Sequence, residues 1–162
     1  MWSDVGTSVP LGAAEAFAPL LEADIRYGYA RDLLSPEAVV AHCLKRFEQG
    51  ETLSDAAESV ALLLSDQLED VDVLIRRLDS PVDQESRRLW IAICLDQARR
   101  LPEAELEIEN VYEFFDYDEG LLPFVGWIHT GMASEADRAE RLAVHLRNEK
   151  IWAHLRAKKR LE

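Results

Sequence analysis

The sequence has few of the residues that break, hinge or cross-link a protein chain. Its 162 residues include seven glycines and six prolines, too few for long flexible linkers. Cys43 and Cys94 are isolated in helical surroundings, so we expect reduced core residues rather than a disulfide. This length and composition favour a single domain over residues 13–162, after a flexible or loosely packed N-terminus over residues 1–12.

Long apolar runs are also missing. Runs such as Val60 to Leu64 are far too short to span a bilayer, and no basic and apolar leader follows Met1. We therefore expect a cytoplasmic protein that has no membrane partner.

Motifs that carry catalysis or bind cofactors are absent as well. The chain has no GxGxxG, Gly-Lys-Ser, Gly-x-Ser-x-Gly, His-Glu-x-x-His or Cys-x-x-Cys pattern. The histidines lack metal-ligand spacing, so we expect solvated or capping roles for His42, His129, His145 and His154. No catalytic residue, metal or cofactor is predicted, which indicates a protein that is not an enzyme. An enzyme or small-molecule binder that uses carboxylates in a helical pocket is the alternative, because the distance between two carboxylates depends on the fold.

Basic residues are missing from the longest acidic segment. The net charge is −13, and residues 101–137 hold ten acids without a lysine or arginine, whereas residues 138–162 hold three acids and eight bases. An acidic chain repels nucleic acid and anionic membranes, so the partner that we expect is a basic protein. The basic C-terminus is explained more simply by helix electrostatics than by nucleic-acid binding, since cations are favourable at the C-terminal end of a helix.

What the sequence does contain is helical periodicity along nearly its whole length. Ser35 and Pro36 predict a helix start, and Gly50 predicts the end of that helix. Ser134 and Asp137 resemble a capping box at the start of the last helix. The predicted fold is all-α, a compact single domain of about seven or eight helices, with stacked helical hairpins as an open alternative. Its expected core contains Leu89, Trp90, Ile93, Val111, Tyr112, Phe115 and Leu146.

Other helix boundaries are predicted from single residues. Pro19 divides an early turn from the main first helix, and either Thr52 or Ser54 caps a later one. Asp83 opens the most regular helix of the chain. Gly120 is expected to end the helix that follows Pro102.

Residues 109–128, ENVYEFFDYDEGLLPFVGWI, combine six of the chain's thirteen aromatic residues with five acids. An amphipathic helix explains part of this mixture, because Ile108, Val111, Tyr112 and Phe115 would share one side. The turn that follows is different, since Asp116, Asp118 and Glu119 surround a tyrosine there.

Three segments carry a resemblance to a known family: YGYARDLLSPEAVVAHCLKRFEQGE (27–51), SRRLWIAICL (86–95) and IENVYEFFDYDEGLLPFV (108–125). The chain resembles a bacterial family known as domain of unknown function 2247, although Asp118 stands where that family usually has proline. The resemblance implies no activity. Small acidic bacterial proteins of this kind often serve as immunity proteins for secreted toxins, which is an argument by association.

Two functions from different classes follow, of which the first is favoured. The first is a protein–protein interaction module, most concretely an antitoxin or immunity protein that masks a basic toxin or nuclease domain. The competing explanation of the acidic segment is neutralisation by the chain's own Lys158, Lys159 and Arg160. The second function is the carboxylate-based enzyme or binder. The predicted partner-binding residues are Glu109, Glu113, Asp116, Tyr117, Asp118 and Glu119.

Overall fold

A computed structural model describes residues 8–78, 83–126 and 134–161. Within these ranges the regular structure consists of helices and includes no strand, so the all-α prediction is confirmed. No helix in these ranges is long and apolar enough to cross a membrane. The α-helices are α1 (Leu11–Phe17), α2 (Glu22–Ala30), α3 (Pro36–Glu48), α4 (Asp55–Ala61), α5 (Val71–Ile75), α6 (Asp83–Ala98), α7 (Ala104–Phe114) and α8 (Glu135–Leu161), joined by 3₁₀ helices at Leu68–Asp70 and Glu119–Phe124.

Contacts along the chain define two compact units. Among the described residues, the N-terminal unit comprises residues 8–16, 20–78 and 83–87, and the C-terminal unit comprises residues 17–19, 88–126 and 134–161. The division into a loose N-terminus and a single helical domain stays a prediction.

The predicted loose N-terminus is described only in part. Residues 1–7 lie outside the described ranges. Val9 is buried, and its amide donates a hydrogen bond to the carbonyl of Leu33 at 2.8 Å. The backbone is therefore held in place from Val9 onward.

The helices of the N-terminal unit begin where local capping chemistry allows. The Ser35 hydroxyl accepts a hydrogen bond from the Ala38 amide at 3.1 Å, and the Ser54 hydroxyl accepts one from the Ala57 amide at 3.2 Å. Ser54, rather than Thr52, is thus the cap of α4. Helix α3 packs against α4, and α4 packs against α5. Their buried side chains include Ile25, Leu33, Val39, Val60, Val71, Ile75 and Leu78.

A buried carboxylate joins two helices of the same unit. Asp24 is fully buried, and its carboxylate accepts hydrogen bonds from the Ser86 hydroxyl and from the Leu21 amide, both at 2.8 Å. These bonds offset the cost of removing the carboxylate from water. They also connect the first turns of α6 to α2.

The C-terminal unit is centred on the aromatic and aliphatic side of α6 and α7. All seven residues that the sequence predicts for the core are buried there, and Trp90 has no exposed surface. Arg88 connects α6 to α8, because its guanidinium donates to Glu149 at 2.7 and 2.9 Å and lies 3.8 Å from the centre of the Trp152 ring. At the start of α8, Ser134 and Asp137 form the predicted capping box.

Three helices end in the same hydrogen-bonded motif, in which the residue after the cap has a left-handed conformation. In α3 that residue is Gly50, with φ of 74°. In α2 it is Asp32, with φ of 59°, and in α7 it is Asp116, with φ of 56°. The following amides close each motif by bonding back five residues, as Tyr117 does to the Tyr112 carbonyl at 2.9 Å.

The end of α7 corrects one boundary. Gly120 was expected to end this helix, but α7 ends at Phe114 and Gly120 lies inside the following 3₁₀ helix. The left-handed Asp116 ends α7 instead, in a position that usually favours glycine.

We predict that Asp116→Gly raises the free energy of unfolding by about 0.5–1 kcal/mol. Glycine avoids a left-handed penalty of about 1–2 kcal/mol but leaves the unfolded chain freer by about 0.4–1 kcal/mol. Gly50→Asp is the reverse experiment, and it should lower the free energy of unfolding. Because no atom lies within 4 Å of a Cβ added at Gly50, this loss would report backbone strain alone. Urea unfolding of both variants measures the change. A destabilised Asp116→Gly would mean that contacts of the aspartate outweigh the strain.

Trp90→Ala is expected to lower the free energy of unfolding by about 3–5 kcal/mol, since it removes a fully buried ring and leaves a cavity. Leu106→Ala on α7 is the control, because Leu106 is 49% exposed and its truncation should have a much smaller effect. Equal losses in the two variants would show that the core does not depend on Trp90.

Candidate functional site

The predicted site forms a surface segment at the C-terminal end of α7, here called the acidic turn. It consists of Glu109, Glu113, Asp116, Tyr117, Asp118 and Glu119. Glu113, Asp116 and Glu119 are exposed, whereas Glu109 and Asp118 are half-buried. Tyr117 is 58% exposed, and among the described aromatic side chains Phe47, at 41%, is the other exposed one.

The local backbone fixes the position of the Tyr117 ring. Tyr117 has a φ of 59°, and its ring meets the Tyr112 ring edge to face, with centroids 5.3 Å apart and planes at 82°. Tyr112 is itself buried. The exposed ring is therefore held against the core and loses little conformational entropy if it contacts another molecule.

Asp118 has a structural role within the acidic turn. Its carboxylate accepts a hydrogen bond from the Gly120 amide at 2.9 Å and caps the 3₁₀ helix that Glu119 begins. Acids are unfavourable at a helix C-terminus and favourable at an N-terminus. Because Asp118 and Glu119 begin the next helix, their negative charges lie at its N-terminus and are favourable there.

The chain neutralises only part of its acidic segment. Arg138 in α8 forms an ion pair with Glu105 in α7. Among the described residues, Glu109, Glu113 and Glu119 form no ion pair. Within the same ranges Lys158 and Lys159 are exposed and also form none. Neutralisation by the C-terminal lysines therefore does not extend to these three glutamates in the described structure.

His42 contradicts the expected role of a solvated or capping histidine. It is only 6% exposed, and its Nδ1 lies 3.3 Å from Glu15 Oε1. Lys45 Nζ lies 2.6 Å from the other oxygen of Glu15. Sequence spacing contains the signal that was missed, since His42 follows the buried Val39 by three residues and precedes the buried Cys43.

Burial and charge shift the pKa values in this cluster. Burial lowers the pKa of His42 and outweighs the opposing effect of the Glu15 carboxylate. At Glu15, burial acts to raise the pKa, but the hydrogen bonds from Lys45 and His42 prevail and lower it. The Nε2 atom of His42 is buried without a hydrogen-bond partner in the described structure. Burial therefore favours the neutral form of His42.

The other histidines lie at separate places. His154 is exposed, with Nδ1 2.7 Å from the Lys150 carbonyl. His145 is half-buried beside the Phe124 ring, at a centroid distance of 5.1 Å. His129 lies outside the described residues. No group of three or more histidine, cysteine, aspartate or glutamate side chains in the described ranges has the arrangement of a metal site.

Several buried carboxylates are held by neighbouring groups of the same chain. Asp96 pairs with Arg99 at 2.9 Å and with Arg100 at 3.3 Å, both within one turn of helix. Glu149 is held by Arg88, and Asp24 by Ser86. These contacts give the three carboxylates structural roles. Both cysteines are buried and free, as predicted.

The described residues form an all-α structure with the acidic turn at the end of α7. Residues 18–150 match the family described as an uncharacterized protein conserved in bacteria, domain of unknown function 2247, and the chain belongs to it. The match includes the whole acidic turn. No curated protein and no solved structure matches the chain.

The buried His42 makes stability depend on pH. Its folded pKa lies below the ordinary value of 6.5, so the unfolded chain binds the proton more readily. Stability should therefore be full above about pH 6.5 and fall as the pH drops below it. Glu15 acts in the same direction, but only below its ordinary value of 4.5.

Unfolding by urea at pH 7.5, 6.5 and 5.5 tests this assignment. His42→Gln should flatten the pH dependence over this interval, whereas His154→Gln at an exposed site should leave it unchanged. A slope that persists in His42→Gln would assign the effect to another group.

Proposed function

We propose that this protein is an acidic protein–protein interaction module and that the acidic turn binds a basic protein. The observation that carries the proposal is an exposed Tyr117 ring, packed edge to face on Tyr112, beside glutamates that form no ion pair in the described structure. An aromatic anchor next to unneutralised charge suits the binding of a lysine- or arginine-rich surface.

The charge pattern of α7 supports an external partner. Glu105, Glu109 and Glu113 follow one another at intervals of four residues, so they lie along one side of the helix. Like charges at this spacing destabilise a helix by about 0.2–0.5 kcal/mol per pair. Arg138 relieves the repulsion at Glu105. Cations of a partner would relieve it at Glu109 and Glu113.

The whole-chain charge acts in the same direction. A net charge of −13 attracts a basic protein over a distance of several ångströms and speeds its association. The contacts of Tyr117 would then determine how long the complex lasts, because buried anchors act mainly on dissociation.

The narrower form of the proposal is an antitoxin or immunity protein of the bacterial cytoplasm. Its partner would be a basic toxin, such as a nuclease domain, whose nucleic-acid-binding surface the acidic turn covers. An acidic surface can compete for such a toxin because both it and nucleic acid present negative charge. Membership of a bacterial family is compatible with this role, and the proposal assigns no catalytic residue.

Charge reversal at exposed sites tests the interaction. The test variant is Glu113→Lys/Glu119→Lys, which spares Asp116 and Asp118 because both have backbone roles. The control is Glu48→Lys/Glu69→Lys, since these glutamates are exposed in the N-terminal unit and give the same change in charge. Circular dichroism and urea unfolding first establish that both variants fold.

Affinity capture from the native host, with quantitative mass spectrometry, then compares the variants. We expect a basic protein that the wild type and the control retain and the test variant loses. The purified basic protein should associate with the test variant at least about tenfold more slowly than with the wild type at low salt. This difference in association rate should become smaller at high salt. Recovery of the same proteins by test and control variants would contradict the proposal. The antitoxin role further requires that wild-type protein, and not the test variant, suppresses the partner's toxicity on co-expression.

A further inference from the structure

A cleft of about 520 Å³ lies in the N-terminal unit, far along the sequence from the acidic turn. It is formed by the C-terminal half of α2, the turn before α3, and α5. Its volume falls within the range of about 300–1,000 Å³ that is usual for small-molecule sites. Leu34 and Ile75, both nearly fully buried, provide an apolar floor.

Charged groups of both signs line this cleft without pairing with one another. Arg26 and Arg76 contribute two guanidinium groups, and Asp32 and Asp72 contribute two carboxylates. Among the described residues, no ion pair joins either arginine to either aspartate. Opposite charges that line one cavity and remain apart leave room for a ligand that pairs with both.

One arginine and one aspartate of the cleft are held in place by hydrogen bonds to neighbouring groups. One Arg26 nitrogen donates to the Leu78 carbonyl at 3.0 Å, so its guanidinium is anchored while its other nitrogens remain available. The Tyr29 hydroxyl donates to one oxygen of Asp72, which orients that carboxylate and leaves its second oxygen for another donor. Burial, followed by the contact with Asp72, raises the pKa of Tyr29 to about 12, so this donor stays protonated.

The backbone conformation of Asp32 is fixed by the motif that ends α2. It occupies the left-handed position after α2, and the next two residues, Leu33 and Leu34, are buried. The Leu33 amide bonds back to the Gly28 carbonyl at 2.8 Å. Asp32 itself is exposed at the edge of the cleft. The fixed backbone therefore sets where this carboxylate is attached at the edge of the cleft.

We propose that this cleft binds a small zwitterion that carries an ammonium and a carboxylate group. The arginines take the carboxylate and the aspartates take the ammonium, while the carbon skeleton covers Leu34 and Ile75. Ser35 and Pro36, at the N-terminal end of the thirteen-residue α3, also line the cleft, so the helix dipole adds to the attraction for the carboxylate. Free amino acids and dipeptides are the two sources of this chemistry.

The balance of charges favours a zwitterion over a simple ion. The two cationic and two anionic side chains of the cleft have no net formal charge, so their charges by themselves favour neither a simple anion nor a simple cation. A ligand with a single charge would also leave the opposite pair of side chains desolvated and unpaired, which costs free energy. A zwitterion satisfies both pairs together.

Nuclear magnetic resonance titration of the full chain tests the site. The probes are leucine and leucyl-leucine, each compared with its N-acetylated form and its C-terminal amide, and inorganic phosphate represents a simple anion. We expect amide shifts confined to the cleft, with one of the two unblocked probes bound at least about tenfold more tightly than either of its blocked forms. The tighter of leucine and leucyl-leucine identifies the source.

Matched substitutions locate the binding. Arg76→Gln and Asp32→Asn should each weaken binding of the unblocked probe at least about tenfold. Arg77→Gln is the control, because Arg77 is the neighbouring exposed arginine and does not line the cleft. Equal binding of blocked and unblocked probes, preference for phosphate, or no cleft shifts with any probe would overturn the proposal. These outcomes are independent of the acidic turn, which lies in the other unit.

Discussion

The left-handed residue that ends α2, α3 and α7 is the constraint on which the course of this chain depends. Each motif satisfies the last carbonyls of its helix and turns the backbone sharply into the next element. At Gly50 this conformation is free of side-chain strain. At Asp32 and Asp116 it costs about 1–2 kcal/mol each, less whatever a short polar side chain recovers by local hydrogen bonding.

The two strained aspartates occupy the two surfaces to which functions are proposed here. Asp32 lines the cleft of the N-terminal unit, and Asp116 belongs to the acidic turn of the C-terminal unit. Strain of this kind persists where the surrounding structure holds it, and it often coincides with functional sites. A glycine would serve the fold better at both positions but would supply no carboxylate. The choice of aspartate is therefore compatible with a role beyond ending a helix.

Much of the fold could be predicted because its determinants are local. Ser35, Ser54 and Ser134 act on amides only three residues away, so their short sequence patterns identify helix starts. The C-terminal ends of α2 and α7 were not predicted, because aspartate rather than glycine occupies the left-handed position at Asp32 and Asp116. The contact of His42 with Glu15 could not be predicted, because the two residues are 27 positions apart in the sequence. The cleft was beyond sequence reasoning, since it assembles residues from α2, the following turn and α5.

In the described structure, the chain's own cations neutralise some glutamates of the acidic segment and leave others without an ion pair. Arg138 in α8 reaches Glu105 in the first turn of α7, and Arg88 in α6 reaches Glu149 in α8. Glu109 and Glu113 continue the side of α7 that Glu105 begins, without an ion pair in the described structure. Their mutual repulsion is small, about 0.2–0.5 kcal/mol, and the folded chain tolerates it. A basic partner that removed this repulsion would stabilise the folded protein by the same interaction that binds it, because binding and folding are linked.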